Sequence, residues 1–226
     1  MRIRSFIVAY AFVLAILLFA DRRPNPAQSN RFSHVVDLTG PQSDSGQNSS
    51  PSSRTCIIAP DALIPGTWTA AQIPPERLVA PLVVMDLNVA PPAQISLDDV
   101  AAWEAKHGAV PQGAVVAIRH AAAGDPRTDS LPITAAAAEF LMDARYTTGF
   151  ITDTSSDFSK SDRSRSNDDH SLARQLALHG NYVVEGAARM TTLPATGSLI
   201  IVAPAPAPEN DKKFRSAPVR VLAMVR

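Results

Sequence analysis

The chain has 226 residues, of which 46% are hydrophobic, and its 21 basic residues balance 21 acidic ones. A chain of this length and apolar content can bury one sizeable core, which predicts a single domain after a leader. The zero net charge argues against nucleic acid or a strongly acidic partner. Because Cys56 is the only cysteine of the sequence, an intramolecular disulfide is excluded.

Residues 1–20 have the pattern of a secretory leader. Arg2 and Arg4 precede an uninterrupted apolar run over 6–20, as in the charged and hydrophobic regions of a signal peptide. The run is shorter than the roughly 20 residues that a spanning helix needs, but a poor cleavage context leaves an uncleaved membrane anchor as the alternative. The sequence therefore predicts an exported protein, with any membrane contact made through this segment and a linker over 21–31.

Residues 32–226 contain an early polar stretch. After it, short apolar runs alternate with helical patterns. Residues 40–54 contain almost no apolar side chain and are predicted to be disordered. Ser96 and Asp99 form a capping-box pattern, and Thr134 is a second N-cap. Strands are predicted at 82–87, 114–119, 150–153, 182–184, 199–202 and 219–225, and helices at 97–107, 134–146 and 172–178. This order predicts an α/β domain with one mixed sheet.

An ordered series of short fragments carries a family resemblance. Thr55-Cys56-Ile57-Ile58-Ala59-Pro60 is followed by Ile64-Pro65-Gly66, Trp68 and Leu78-Val79-Ala80-Pro81. The series resembles the cyclase family of metal-dependent hydrolases, whose members include kynurenine formamidase and isatin hydrolase. Further similar pieces lie at 32–39, 153–157, 182–186, 193–197 and 217–223. The resemblance covers about 32–226 and implies the family's swivelling β/β/α arrangement.

The metal-binding loop of that family reads H-x-G-T-H-x-D-x-P-x-H, and this chain keeps only Thr55 and Pro60 of it. The positions of the three histidines, the aspartate and the glycine are occupied by Ser52, Cys56, Ala62, Ile58 and Arg54. A hydrolytic Zn²⁺ or Mn²⁺ centre needs imidazole and carboxylate donors. The resemblance therefore implies a divergent member without the metal motif, and no cofactor is expected unless a zinc or manganese site has been rebuilt.

A rebuilt site would draw on few residues. Glu185 matches the family's glutamate, while the histidine twelve positions upstream is replaced by Ala173. A shifted loop could bring His170 to Glu185, and these two are weak catalytic candidates. Cys56, His170 and Glu185, with Asp61, are the weak metal candidates. The alternatives are a solvated loop histidine and a glutamate satisfied by local hydrogen bonds.

Four residues are weak candidates for a substrate pocket. Trp68 is expected by resemblance to flank the pocket entrance, or else to pack in the core. Asp153 and Asp157 match aspartates that shape the family's site through hydrogen bonds. His120 ends a predicted strand, where α/β sheets place ligand-contacting groups, with a surface or strand-end residue as the alternative.

Two functions from different classes remain. The first is an exported hydrolase of aryl-formamide or cyclic amide bonds, working through a rebuilt metal site. The second is a binding or scaffold protein on the same fold, without catalysis. The family relationship leaves a small aromatic amide as the expected ligand and a homo-oligomer as an open alternative. The missing ligands argue against catalysis of the family reaction, because the remaining donors are few and lie on loops.

Overall fold

The computed structural model describes residues 32–40, 55–87, 94–120, 131–154, 172–205 and 216–226. The predicted leader (1–20), the linker (21–31) and residues 41–54 of the predicted disordered segment lie outside this part of the chain, as do Asp157 and His170. Within the described ranges, no helix combines the length and the apolar character that crossing a bilayer requires.

Eight strands of the described residues pair into one mixed sheet within the compact unit His34–Arg226. They are β1 (His34–Asp37), β2 (Cys56–Ile58), β3 (Val79–Leu87), β4 (Val115–His120), β5 (Gly149–Thr152), β6 (Tyr182–Glu185), β7 (Ser198–Pro204) and β8 (Ala217–Val225). Their order is β1-β8-β2-β6-β5-β4-β3-β7, and β7 also pairs with β8. The sheet therefore closes into a ring of seven strands with β1 added beside β8. The predicted α/β domain with a mixed sheet is confirmed.

The central strands β3, β4, β5 and β6 run parallel to one another, whereas β2, β7 and β8 pair antiparallel with their neighbours. Parallel strands are covered on both faces, so their sequences are nearly continuous apolar runs. Because the four strands point the same way, their carboxyl ends meet at one edge of the sheet. The side chains at that edge form the region where the candidate site lies.

The longer helices begin where their caps predict. The helices are α1 (Pro60–Leu63), α2 (Pro75–Leu78), α3 (Leu97–His107), α4 (Ala135–Arg145) and α5 (Leu172–Leu178), with a 3₁₀ turn at Met190–Thr192. At α3, Ser96 Oγ accepts from the Asp99 amide, and Asp99 Oδ2 accepts from the Ser96 amide at 2.8 Å. At α4, Thr134 accepts from the Ala137 amide. Both predicted caps are confirmed, whereas β2, α1, α2 and the 3₁₀ turn were not predicted.

Two apolar layers cover the two faces of the sheet, and alternate residues of a strand divide between them. Ile57 and Val184 belong to the inner layer, which the closed sheet surrounds. Ile58 and Val183 belong to the outer layer, which packs against α3, α4 and α5. Successive side chains of β2 and β6 therefore alternate between the inner and the outer layer.

Gly149 makes the closest backbone approach in this packing. It lies opposite Tyr182 in the pairing of β5 with β6, and a Cβ atom at Gly149 would lie 2.5 Å from Cε2 of that ring. The ring is fully buried, and its hydroxyl donates to the Arg77 carbonyl at 3.0 Å. The ring is therefore held on both sides and has no room to move away.

We expect Gly149→Ala to lower the free energy of unfolding by roughly 2–3 kcal/mol, because overpacking a rigid core displaces either the ring or the strand. Denaturant unfolding followed by circular dichroism measures this change. Gly197→Ala is the control, since its added Cβ meets nothing within 4 Å and its cost comes only from a positive φ. An equal decrease in the free energy of unfolding in both variants would show that the contact with Tyr182 is not the cause.

Candidate functional site

Polar and titratable side chains collect where the parallel strands end. His120 is the last residue of β4, Thr152 the last of β5 and Glu185 the last of β6. Thr152 lies opposite Ile118 of β4, and Val184 lies opposite Ile151 of β5, so these ends stand side by side. The carboxyl edge of an α/β sheet is where ligands usually bind, and this edge is the candidate site.

Cys56 and Glu185 are direct cross-strand neighbours at this edge. β2 and β6 pair antiparallel with Cys56 opposite Glu185, which places their Cβ atoms roughly 4.5–5.5 Å apart. Glu185 is 4% exposed. Burial, followed by the nearby Glu185 charge, raises the pKa of the Cys56 thiol to about 11, and a hydrogen bond with Ser216 opposes this shift. Ionising this thiol is therefore less favourable than ionising an ordinary cysteine, which disfavours the thiolate form in which cysteine binds a metal.

Two other metal-ligand positions of the resemblance, Ile58 and Ala62, are apolar and packed, whereas Ser52 lies outside the described residues. Ile58, at the aspartate position, is 1% exposed and belongs to the outer layer. Ala62, at the last histidine position, is half-buried against the same layer, as is Leu172 of α5. Within the ranges described above, no group of three or more histidine, cysteine, aspartate or glutamate side chains could hold a metal ion. The described residues do not fit the family's metal centre.

Asp61 is engaged in a turn away from the Cys56 and Glu185 pair. Its Oδ1 accepts from the Gly66 amide at 2.9 Å, and its own amide donates to the Trp68 carbonyl at 3.0 Å. Since β2 runs from Cys56 opposite Glu185 toward Ile58 opposite Val183, Asp61 follows at the far end of the pairing. The structure does not bring it to the other candidates, and His170 lies outside the described residues.

Trp68 packs beside the start of β6. A Cβ on Gly180 would lie 2.7 Å from Cζ3 of the indole, and the Arg77 guanidinium lies 5.6 Å from the ring centroid. Gly180 precedes β6, whereas Glu185 ends it. The indole therefore packs on Gly180 and Arg77 at the end of β6 opposite to Glu185, and its place at a pocket entrance stays a prediction.

His120 and Asp153 form a tight pair between the ends of β4 and β5. Asp153 Oδ1 lies 2.6 Å from His120 Nδ1, and Asp153 Oδ2 accepts from the His120 amide at 2.9 Å. The histidine side chain is 4% exposed. The surface alternative for His120 is therefore wrong, whereas its strand-end position is confirmed. Its Nε2 atom is buried and has no hydrogen-bond partner in the described part of the chain.

Buried threonines complete the edge, and sequence analysis did not assign them a role there. Thr152 and Thr154 are both buried, with their hydroxyl oxygens 2.9 Å apart. Thr55 Oγ1 accepts from the Gly40 amide at 2.7 Å and donates to the Gly186 carbonyl at 2.8 Å. Thr55 had a signal as one of the two residues retained from the family loop, and Thr154 lies in the similar piece 153–157. Thr152 had no signal of its own.

A cavity of about 520 Å³ lies beside the start of β2, away from the predicted pocket residues. Its lining residues are Asp37, Thr39, Gly40, Thr55, Ala203, Ala205, Pro218, Val219 and Arg220. Arg220 and Asp37 pair across it at 3.3 Å. None of Trp68, His120 and Asp153 lines this cavity, so the expected pocket and the cavity are separate features.

Comparisons with known proteins agree on one family. A family model described as a putative cyclase matches residues 36–157, which is more than half of the chain. Isatin hydrolase A from Labrenzia aggregata, solved with benzyl benzoate, is similar at 25% identity with a TM-score of 0.60, covering 85% of this chain and 93% of that one. No curated protein matches the chain.

Two further solved structures share the fold. An isatin hydrolase bound to the product analogue thioisatinate is 20% identical with a TM-score of 0.59, covering 100% of this chain and 99% of that one. A potential metal-dependent hydrolase with cyclase activity is 22% identical with a TM-score of 0.61, covering 85% and 98%. At these identities the similarity shows a shared fold. It does not show a shared chemistry, which has to be argued from the residues of this chain.

Proposed function

Because the chain belongs to the cyclase family, we propose that it is a member without the family's metal centre, which binds a small aromatic amide rather than hydrolysing it. The observation that carries this proposal is the packing of Ile58 and Ala62. Both stand at ligand positions of the resemblance, and both contact the apolar layer beneath the helices. An ion placed there would lose its hydration without gaining donors, which is costly.

The Cys56 and Glu185 pair is the strongest support for the opposing candidate, a hydrolase with a rebuilt site. These two groups are adjacent across β2 and β6 and could supply two donors. Catalytic zinc sites use three protein ligands, and a cysteine among them binds as the thiolate. The burial that raises the pKa of Cys56 to about 11 opposes that form. The pair is therefore better suited to hydrogen bonding than to holding an ion.

Metal content tests the proposal directly. We expect the full-length chain, dialysed against Zn²⁺ or Mn²⁺ and then against metal-free buffer, to retain far less than one equivalent by elemental analysis. It is also expected not to hydrolyse an aryl formamide. A rebuilt site would instead retain about one equivalent and lose it in Glu185→Gln. Glu139→Gln, at an exposed position of α4, is the matched control and should leave the metal content unchanged.

We propose in addition that the protein is exported through residues 1–20, with the cleaved leader and the uncleaved anchor as the two forms. The support is the charged and apolar pattern of this segment. Fractionation of expressing cells followed by N-terminal sequencing of the purified chain tests it. A chain that stays in the cytosol with an intact N-terminus would overturn the proposal.

A further inference from the structure

The cavity beside the start of β2 has room for a small molecule. Its volume of about 520 Å³ lies within the range of roughly 300–1,000 Å³ that is usual for ligand sites in proteins. Part of its wall is apolar and comes from β7, β8 and the residue that follows β7. The apolar lining residues are Ala203, Ala205, Pro218 and Val219. This wall can cover the apolar part of a ligand, and the polar recognition has to come from the other lining residues.

Two of those other residues, Asp37 and Arg220, are charged and pair only weakly. Asp37 lies opposite Leu222 in the pairing of β1 with β8, so Arg220, two positions earlier, is its diagonal neighbour on the same face of the sheet. Arg220 Nη2 donates to Asp37 Oδ2 at 3.3 Å, which is longer than the roughly 2.7–2.9 Å of a strong charge-assisted bond. The Arg220 side chain is also 67% exposed. An exposed pair with one long contact contributes little, so most N–H groups of this guanidinium remain available to a second acceptor.

The charges around Asp37 do not balance within the described residues. Hydrogen bonds from Thr39 lower the pKa of Asp37, so this carboxylate is ionised at neutral pH, and it is the only one in the lining of the cavity. A second guanidinium, that of Arg189, donates to the carbonyl oxygens of Asp37 and Thr39 at 2.6 and 3.0 Å. Carbonyl oxygens do not neutralise a cation. Two positive side chains therefore contact this segment against one negative side chain, which favours the binding of one further negative charge.

We propose that this cavity binds a small organic anion with a single charge, a carboxylate on a short aliphatic chain. Arg220 donates to the carboxylate oxygens, as arginine commonly does, and the chain lies along the apolar wall. No aromatic side chain is among the described lining residues, so stacking on a flat ligand is not offered. Asp37 competes with the ligand for Arg220. The inference goes beyond the proposed function, because the ligand is not an amide and no metal-ligand position of the resemblance lines the cavity.

Three probes separate the charge of the ligand from its apolar chain. Hexanoate has both, hexanamide has the same chain without the charge, and acetate has the charge without the chain. We expect hexanoate to bind the full-length chain about tenfold more tightly than hexanamide, the effect of a hydrogen bond to a charged group. It should also bind about tenfold more tightly than acetate, because its additional methylene groups are removed from water at the apolar wall. Titration calorimetry at neutral pH and constant ionic strength measures the three affinities.

Three variants assign the binding to the cavity. Arg220→Gln removes the cation and should bind hexanoate and hexanamide equally. Lys106→Gln is the matched control, since it removes one positive charge from an exposed position at the end of α3, and it should retain the tenfold preference. Asp37→Asn keeps an oxygen that can accept from the Thr39 amide but removes the competing charge. It should therefore bind hexanoate about threefold more tightly, the usual size of an exposed ion-pair effect, with no change for hexanamide.

Several outcomes would overturn the inference: no binding of hexanoate, equal affinity for hexanoate and hexanamide, a preference that survives Arg220→Gln, or weaker binding of hexanoate to Asp37→Asn. Acetate bound as tightly as hexanoate would reveal an adventitious anion on an exposed arginine only. The comparison of the three probes uses the unmodified chain, so it decides the matter even if a variant fails to fold. These results are also independent of metal content. Retention of one metal equivalent that depends on Glu185 would overturn the proposed function, while the cavity would still be judged by the probes.

Discussion

Replacing Thr55 by valine is expected to lower the free energy of unfolding by roughly 2–4 kcal/mol, with little change in side-chain volume. Thr55 is 4% exposed, and its hydroxyl joins the end of the segment after β1 to the residue after β6. The valine variant leaves the Gly40 amide and the Gly186 carbonyl without their partner. Denaturant unfolding at neutral pH measures the loss.

Thr55→Ser separates the hydroxyl from the methyl group in this prediction. Serine keeps the oxygen that accepts from Gly40 and donates to Gly186, so it should cost only about 1 kcal/mol for the lost methyl. A loss in Thr55→Ser as large as that in Thr55→Val would show that packing dominates. One of the two residues retained from the family loop would then serve the fold through its apolar surface rather than through its hydrogen bonds.

Cys56 is expected to react with iodoacetamide at pH 8 about 100-fold more slowly than an ordinary cysteine thiol. The reason is that the thiolate is the reactive form and the pKa of Cys56 is raised to about 11. Glu185→Gln removes the second cause of the shift and should speed the reaction, whereas Glu139→Gln should not. Mass spectrometry of timed samples measures the rate. A native rate equal to that of the urea-unfolded chain would contradict the prediction.

The same shift predicts how stability depends on pH. The unfolded thiol loses its proton near pH 9, while the folded one keeps it until about pH 11. The unfolded state therefore binds fewer protons in this window, and stability falls as the pH rises through it, by roughly 2–3 kcal/mol. Burial also raises the pKa of Tyr182, so the wild type must be compared with Cys56→Ser. The difference in the free energy of unfolding between the two proteins should be independent of pH well below pH 9 and should change as the pH rises from 9 to 11.

Local sequence predicted the elements whose causes are local. The Ser96 and Asp99 capping box and the Thr134 cap involve residues three positions apart, and α3 and α4 begin where these patterns indicate. The three residues of β2 carry no such signal. Their strand conformation comes from pairing with β6 and β8, which lie more than a hundred residues away. The family pattern had placed them in a metal-binding loop.

The candidate site was predictable only in part, for the same reason. Sequence selected His120 because it ends a predicted strand, and selected Asp153 separately because it matches an aspartate of the family. Their contact follows from the pairing of β4 with β5, which composition and periodicity do not reveal. For Trp68, the resemblance gave a position along the chain but not in space, and the contact of its indole with Gly180 was not predicted.

Because the sheet closes through β8, several strands cannot complete their pairing until β8 has been synthesised. β8 supplies an edge to β1, β2 and β7, and every other strand precedes it in the chain. A nascent polypeptide therefore carries three strands with unsatisfied edges until residues 217–225 have left the ribosome. Long-range strand pairing of this kind is slow and exposes the chain to aggregation. The completed ring removes that hazard, because docking of β8 pairs the free edges of β1, β2 and β7 in one step.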